Sequence, residues 1–156
     1  MFRPNSIPPE ERYKNIGGWL LLFCICLIVF PIINLIQTSQ FFRELGFYYY
    51  EYPTYFRTAF IDYIIFVGLM ILAIIAGIAI IRKRVHGVKT AKLFLFLFFL
   101  YSLFKVFLSY SSGDQELINE NLIYCIKTTA YFVVWTLYLY RSERVKYTFS
   151  VEQPSD

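Results

Sequence analysis

Two uninterrupted apolar runs constrain the fold of this chain more than any other feature. Residues 20–30 and 64–81 contain no charged side chain and lie within longer, mostly apolar stretches. A helix that crosses a bilayer needs about 20 such residues, whereas a transmembrane barrel needs strands of alternating polarity, which these runs lack. The chain is therefore predicted to be an all-α integral membrane protein.

The composition sets the number of spans. Of the 156 residues, 58% are hydrophobic and 21% aromatic, which is outside the range of soluble globular proteins. This length accommodates four spans with short connections and leaves no room for a soluble domain. We expect one membrane domain, residues 1–156, with a tail at 1–15, spans at about 16–37, 59–81, 88–110 and 119–140, and a basic helix end and tail at 141–156.

The distribution of lysine and arginine predicts the orientation of these spans. The cations cluster before the first span, between the second and third spans, and after the fourth: Arg3, Arg12, Lys14, Arg82, Lys83, Arg84, Lys89, Lys92, Arg141, Arg144 and Lys146. The other two connections hold only Arg43 and Arg57. Because cytoplasmic segments carry the excess of cations, we expect two hairpins with both termini in the cytoplasm, N-in/C-in.

The same cations suggest what the protein contacts. They flank membrane spans and do not form a soluble basic face, so we expect no nucleic-acid partner. We expect them to contact anionic headgroups of the lipid bilayer at the cytoplasmic face. A membrane-protein partner or a homo-oligomer remains open at this stage.

The first connection is rich in tyrosine. Five tyrosines lie between Tyr48 and Tyr55. Rings at this density beside a span are typical of an aromatic belt at the membrane interface. They would also suit a docking surface for a partner or ligand, since tyrosine supplies a large amphipathic contact area.

The end of the fourth span carries the most specific pattern in the chain. It reads Trp135-x2-Tyr138-x3-Ser142-x-Arg144-Val145-Lys146-x-Thr148-Phe149, and it is accompanied by Gly17-Gly18-Trp19-Leu20 and Tyr52-Pro53. In these residues the chain resembles the bacterial membrane-protein family called domain of unknown function 2569. The resemblance covers most of the chain and implies a four-helix bacterial inner-membrane protein. It implies no reaction, substrate or cofactor.

The cations of this C-terminal motif have two interpretations. Cations in the last turn of a helix complement its dipole and contact anionic headgroups, which would make the motif a membrane anchor. The alternative is a docking motif for a partner protein.

Several polar side chains fall at membrane depth, where ionisable groups are rare and need an explanation. On the fourth span they recur every three or four residues, and on the third span Tyr101, Lys105 and Ser109 share one face. Polar stripes in lipid turn towards the bundle. We therefore predict a polar cluster in the outer half of the bundle, formed by Asn34, Asp62, Tyr101, Lys105, Ser109, Glu120, Tyr124, Lys127 and Tyr131.

This predicted cluster has two interpretations. Buried polar groups must be paired, so it would form a hydrogen-bond and ion-pair network that fixes the helix register. Alternatively, it would line an outward-facing pocket with more cation than anion, suited to an anionic headgroup or solute.

The sequence lacks the usual parts of an enzyme. Its single histidine, His86, lies in the central basic turn, and no G-x-S-x-G, P-loop or dinucleotide motif is present. Cys24, Cys26 and Cys125 lie within spans without metal-ligand spacing. We expect no catalytic residues, no cofactor and no metal site.

The leading hypothesis is a non-enzymatic accessory or binding protein of the bacterial inner membrane that interacts with a membrane partner or anionic lipid. The alternative is a small oligomeric transporter or channel subunit that uses the polar cluster. Four helices are few for an alternating-access monomer, so this alternative requires oligomerisation.

Overall fold

The computed structural model describes residues 18–45 and 53–150, which are helical apart from short turns and contain no strand. The helices are α1 (Trp19–Leu45), α2 (Pro53–Ile81), α3 (Val85–Ser112), α4 (Gln115–Arg141) and α5 (Glu143–Ser150). The first four are long and apolar enough to cross a membrane. The prediction of an all-α protein with four transmembrane helices is confirmed. The predicted tail at 1–15, residues 46–52 of the tyrosine-rich connection and residues 151–156 of the C-terminal tail lie outside the described residues.

The helices are longer than the predicted spans. Helix α1 continues to Leu45 where the prediction ended at 37, and α2 begins at Pro53 where the prediction began at 59. An apolar run marks only the hydrocarbon part of a helix, whereas the backbone hydrogen bonds continue through the headgroup region. A helix of 27 residues, such as α4, is about 40 Å long, which matches a whole bilayer with its headgroups.

Two tight turns fold consecutive helices antiparallel. Between α2 and α3 the chain reverses at Lys83, a non-glycine residue with φ 55°. Between α3 and α4, Gly113 takes the left-handed conformation with φ 73°, which glycine adopts without steric cost. Asp114 then caps α4, because its Oδ1 accepts hydrogen bonds from the backbone N–H groups of Glu116 at 3.0 Å and Leu117 at 3.3 Å.

Each long helix packs against the next one in sequence, and the core is densest at one end. Helix α1 packs on α2, α2 on α3, and α3 on α4. The rings of Phe23 and Trp135 join α1 to α4, with centroids 4.6 Å apart. This end also carries the turn Arg82–Arg84, and we call it the basic end. The opposite end, with Asp114 and Glu116, is the acidic end. The core cluster at the basic end consists of Leu20, Phe23, Cys24, Leu27, Ala73, Ala76, Ile80, Ala91, Phe94, Leu95, Trp135, Leu139 and Val145.

Two glycines allow close approach between helices. A Cβ atom added at Gly77 of α2 would lie 2.8 Å from Ile28 Cγ1 of α1. At Gly87 of α3 it would lie 2.7 Å from the backbone nitrogen of Ile80. By contrast, a Cβ atom at Gly68 would meet no atom within 4 Å. The packing of α2 on α3 at the basic end therefore depends on the missing side chain at position 87.

Gly87→Ala should destabilise the fold, and Gly68→Ala should not. The first substitution forces a methyl group against backbone, so we expect it to lower the free energy of unfolding by about 1–3 kcal/mol. The second fills open space and should raise that free energy by up to about 1 kcal/mol, since alanine favours helix. Unfolding by SDS titration in mixed micelles measures both. Equal stability of the two variants would contradict the close contact.

Candidate functional site

Three predicted residues meet between α2 and α3, and we call them the Asp62 cluster. Tyr101 Oη donates a hydrogen bond of 2.8 Å to Asp62 Oδ1. The ammonium of Lys105 lies 3.4 Å from Asp62 Oδ2. Tyr101 and Lys105 are four residues apart, so they lie on the same face of α3. The carboxylate thus has one partner for each oxygen, and the cluster is neutral overall.

The Asp62 cluster lies at the edge of the bundle. The Asp62 and Lys105 side chains are 31% and 32% exposed. An unpaired charge that faces lipid at this depth raises the free energy of the protein in the membrane, and pairing with an opposite charge lowers it again. The ion pair therefore explains how both residues are tolerated within apolar helices, and it joins α2 to α3 in the acidic half.

A second polar contact joins α3 to α4. Asn121 Nδ2 donates to Ser109 Oγ at 2.6 Å, and Ser109 Oγ donates to the backbone oxygen of Lys105 at 2.9 Å. Both Asn121 and Ser109 are buried. Asn121 was not among the predicted residues. It lies seven residues before Thr128 and fourteen before Trp135, on the same face of α4, but Glu120 and Lys127 have the same spacing, so periodicity did not single it out.

The two charged residues of the polar stripe predicted for α4 lie beside the face that packs and not on it, whereas Tyr124 and Tyr131 of the same stripe are partly buried. Glu120 and Lys127 are exposed, whereas Asn121, Thr128 and Trp135 are buried. Successive residues of a helix are about 100° apart around its axis. Glu120 and Lys127 therefore face a different direction from Asn121 and Thr128, which follow them in the sequence. The buried face follows side chains that fit between helices, and the charges point away from it. The prediction that Glu120 and Lys127 turn towards the bundle is therefore wrong.

The remaining predicted residues make other contacts. Asn34 donates to the backbone oxygen of Phe30 at 2.7 Å, within its own helix. The Tyr124 ring packs edge-on against Phe98, and the Tyr131 ring lies edge-on to Trp135. The structure thus joins Asp62, Tyr101 and Lys105, reaches Asn121 through Ser109, and does not assemble all nine predicted residues into one cluster.

A groove of about 430 Å³ lies between α2 and α3 beside the Asp62 cluster. Its lining residues are Ile65, Gly68, Leu69, Leu72, Leu97, Leu100, Tyr101 and Phe104. They are apolar except for the Tyr101 hydroxyl, which is bonded to Asp62. The groove suits hydrocarbon and lacks the cationic lining that was predicted for an anion pocket.

The C-terminal motif folds the chain back over the basic end. Trp135 is buried against Phe23, and Tyr138 lies edge-on to Trp135 with ring centroids 5.9 Å apart. Ser142 separates the two last helices: its N–H donates to the backbone oxygen of Tyr138 at 2.9 Å, and its Oγ accepts from the N–H of Val145 at 3.4 Å. Ser142 therefore ends α4 and begins α5.

Helix α5 packs its apolar side on the bundle. Val145 is buried in the core cluster, and Phe149 packs against that cluster. Thr148 is partly buried and Lys146 is exposed; Arg144 lies in α5, and its side chain is not among those described. The motif residues Trp135, Val145 and Phe149 thus belong to or pack on the core cluster of the basic end, and Ser142 joins α4 to α5 beside it.

The basic end presents many exposed cations, consisting of Arg82, Arg84, Lys89, Arg141 and Lys146. Lys92 is partly buried, and its ammonium lies 3.7 Å from the ring centroid of Tyr140, a favourable cation–π distance. Within the described residues, no three His, Cys, Asp or Glu side chains are grouped as metal ligands would be. The exposed cations give this end of the bundle a positive charge.

Lys105→Leu and Lys127→Leu should differ in their effect on stability. The first leaves Asp62 without its counter-charge, so we expect the free energy of unfolding to fall by about 1–3 kcal/mol. The second breaks no contact within the bundle, and α4 stays in the micelle when SDS unfolds the bundle, so we expect it to change the free energy of unfolding by less than about 0.5 kcal/mol. SDS titration compares the two, and Asp62→Asn combined with Lys105→Leu should recover part of the loss. An equal loss from both lysines would contradict the ion pair.

Comparison with known proteins agrees with the resemblance seen in the sequence. A family model described as "Protein of unknown function (DUF2569)" matches residues 13–150. No curated protein and no solved structure matches the chain. Since the match covers most of the chain, including all five helices, the protein belongs to the DUF2569 family.

Proposed function

We propose that the protein is a non-enzymatic accessory protein of the bacterial inner membrane, with both termini in the cytoplasm, and that it acts by binding. Its basic end binds anionic lipid headgroups at the cytoplasmic face, and the bundle positions that end for contact with a membrane partner. The observation that carries the proposal is the set of exposed cations at one end of the bundle, beside a helix that packs across it.

The arrangement of α5 supports this proposal. Val145 and Phe149 turn the apolar side of α5 inward, and Lys146 stays exposed. Arg141, at the end of α4, also complements the helix dipole. Each Lys or Arg near an anionic membrane surface contributes about 1 kcal/mol of attraction. Because these cations sit on a packed scaffold, they approach the headgroups as a group.

The transporter or channel alternative gains no support from these contacts. The Asp62 cluster is neutral, and its carboxylate is held by Tyr101 and Lys105. The groove beside it is lined by apolar side chains. An enzymatic role gains none either: His86 is exposed at the start of α3, and the buried Ser109 hydroxyl accepts a hydrogen bond from Asn121.

Reporter fusions test the orientation. Alkaline phosphatase fused after Gly113, in the turn between α3 and α4, should be active, because that turn is expected on the outer side. The same enzyme fused after Asp156 should be inactive, and green fluorescent protein there should fluoresce. The opposite pattern would overturn the N-in/C-in arrangement and place the basic end outside.

Lipid retention tests the binding role. Native mass spectrometry of the protein in mild detergent, titrated with phosphatidylglycerol, should show binding that Arg84→Gln combined with Arg141→Gln weakens roughly 30-fold, at about 1 kcal/mol for each cation. Arg57→Gln removes an exposed cation at the opposite end and serves as the matched control. Equal loss in the control, or no loss in the double variant, would contradict binding at the basic end.

A further inference from the structure

Lys127 lies close to the middle of helix α4, which is long and apolar enough to cross a membrane. Helix α4 has 27 residues, and Lys127 follows Gln115 by 12 residues and precedes Arg141 by 14. If the helix of about 40 Å is centred on a hydrocarbon layer of about 30 Å, the Lys127 backbone lies about 13 Å inside that layer. A lysine side chain spans roughly 6 Å, so the ammonium does not reach the headgroups by extending along the helix.

Lys127 also differs from Lys105 in having no partner among the residues that the structure describes. Its side chain is exposed, and the described residues provide it with neither a hydrogen bond nor an ion pair. On insertion scales a lysine at the centre of a span costs about 2.5–3.5 kcal/mol. A carboxylate beside the ammonium would reduce that cost, as Asp62 does for Lys105.

The surface around Lys127 has the spacing of a helix–helix contact. Exposed residues recur every three or four positions along α4, and they are Ile123, Lys127, Ala130, Val134 and Leu137. We call this surface the Lys127 face. Ala130, one turn from Lys127, leaves room for the close approach of another helix. The Lys127 face lies opposite Asn121, Thr128 and Leu139, which are buried, so the bundle itself does not cover it.

We propose that the Lys127 face binds a transmembrane helix of another protein, and that this helix brings an aspartate or glutamate to Lys127. The inference rests on the proposed binding role and names the chemistry of its membrane partner. Charge complementarity carries it, because a carboxylate at mid-membrane is the group that an unpaired lysine at that depth lacks. The apolar residues on either side supply the packing, and the ion pair sets the depth and register.

A second copy of this chain fits the Lys127 face poorly. Copies in one membrane share an orientation, so a two-fold contact through α4 would place Lys127 beside the partner's Lys127. Glu120 lies two turns away, about 10 Å along the helix, and Asp62 is already held by Lys105 and Tyr101. A lipid phosphate fits poorly as well, since it lies at the headgroup level.

Site-specific photocrosslinking in the cell's own membranes tests the proposal. The full-length chain would carry p-benzoylphenylalanine in place of Ile123, one turn from Lys127, or in place of Phe107 as the matched control. Phe107 is an exposed apolar residue of α3, and the contact of Ser109 with Asn121 places it at about the level of Ile123. We expect an adduct from position 123 and none of that mass from position 107.

The identity of the adduct and its dependence on charge decide the outcome. Mass spectrometry should map the crosslink to a transmembrane segment with Asp or Glu within about one turn. Lys127→Met should reduce the yield at least about tenfold, and Lys127→Arg should preserve it. Lys127→Asp should abolish the adduct, and exchange of the mapped carboxylate for lysine in the partner should restore it.

Several results would overturn the proposal. They are an adduct with a second copy alone, an adduct with lipid alone, a crosslinked segment without a carboxylate, and a yield that Lys127→Met leaves unchanged. None of them alters lipid binding at the basic end, which the Arg84 and Arg141 variants test separately. A failure of the Lys127 face is therefore distinguishable from a failure of the proposed function.

Discussion

The hydrocarbon layer offers no partner to a polar group, and most of this structure follows from that constraint. It requires helices, because only they satisfy the backbone within a single segment. It also explains why short polar side chains bond carbonyl groups of their own helix, as Thr38 does to Asn34 and Thr129 to Cys125. In the part of the chain that the structure describes, every buried side-chain nitrogen or oxygen atom has a hydrogen-bond partner. Between helices, the same constraint pairs Asp62 with Lys105 and Asn121 with Ser109.

The two ends of the bundle are stabilised in different ways. At the basic end, packing dominates: Phe23 and Trp135 close the bundle between α1 and α4, and Val145 extends that core into α5. In the acidic half, polar contacts join α2 to α3 and α3 to α4. Apolar packing in lipid is not driven by the hydrophobic effect, so shape and close approach must supply the attraction. The basic end, where aromatic rings and small residues meet, consequently contains the larger packed core. The exposed cations of this end are attached to that core.

The sequence predicts the helices well and the contacts between them less well. Apolar runs predicted four membrane-spanning helices, and the described residues contain four helices of that length and polarity. Helix α2 ends at Ile81, where the sequence changes from isoleucine to arginine. Asp62 and Lys105 were identified as exceptions in apolar helices, but their pairing depends on the register of α2 against α3, which the turn at Lys83 sets. On α4, the charges and the buried face are one residue apart. Both follow the helical period, so periodicity alone does not distinguish a packed stripe from an exposed one.

In the proposed contact, the position of Lys127 on α4 would link stability to assembly. Helix α4 is the least apolar of the four spans, and it packs on α3 through Asn121 and the stacked rings of Phe132 and Phe99. Those contacts occupy the face of α4 that packs on α3. The charge of Lys127 stays exposed on another face, near the middle of the helix. The helices of the bundle therefore pack without using Lys127. The exposed charge of Lys127 nevertheless raises the free energy of α4 in the bilayer. A helix that neutralises Lys127 would stabilise α4 in the bilayer as it binds, so the same residue that weakens the isolated span would make association favourable.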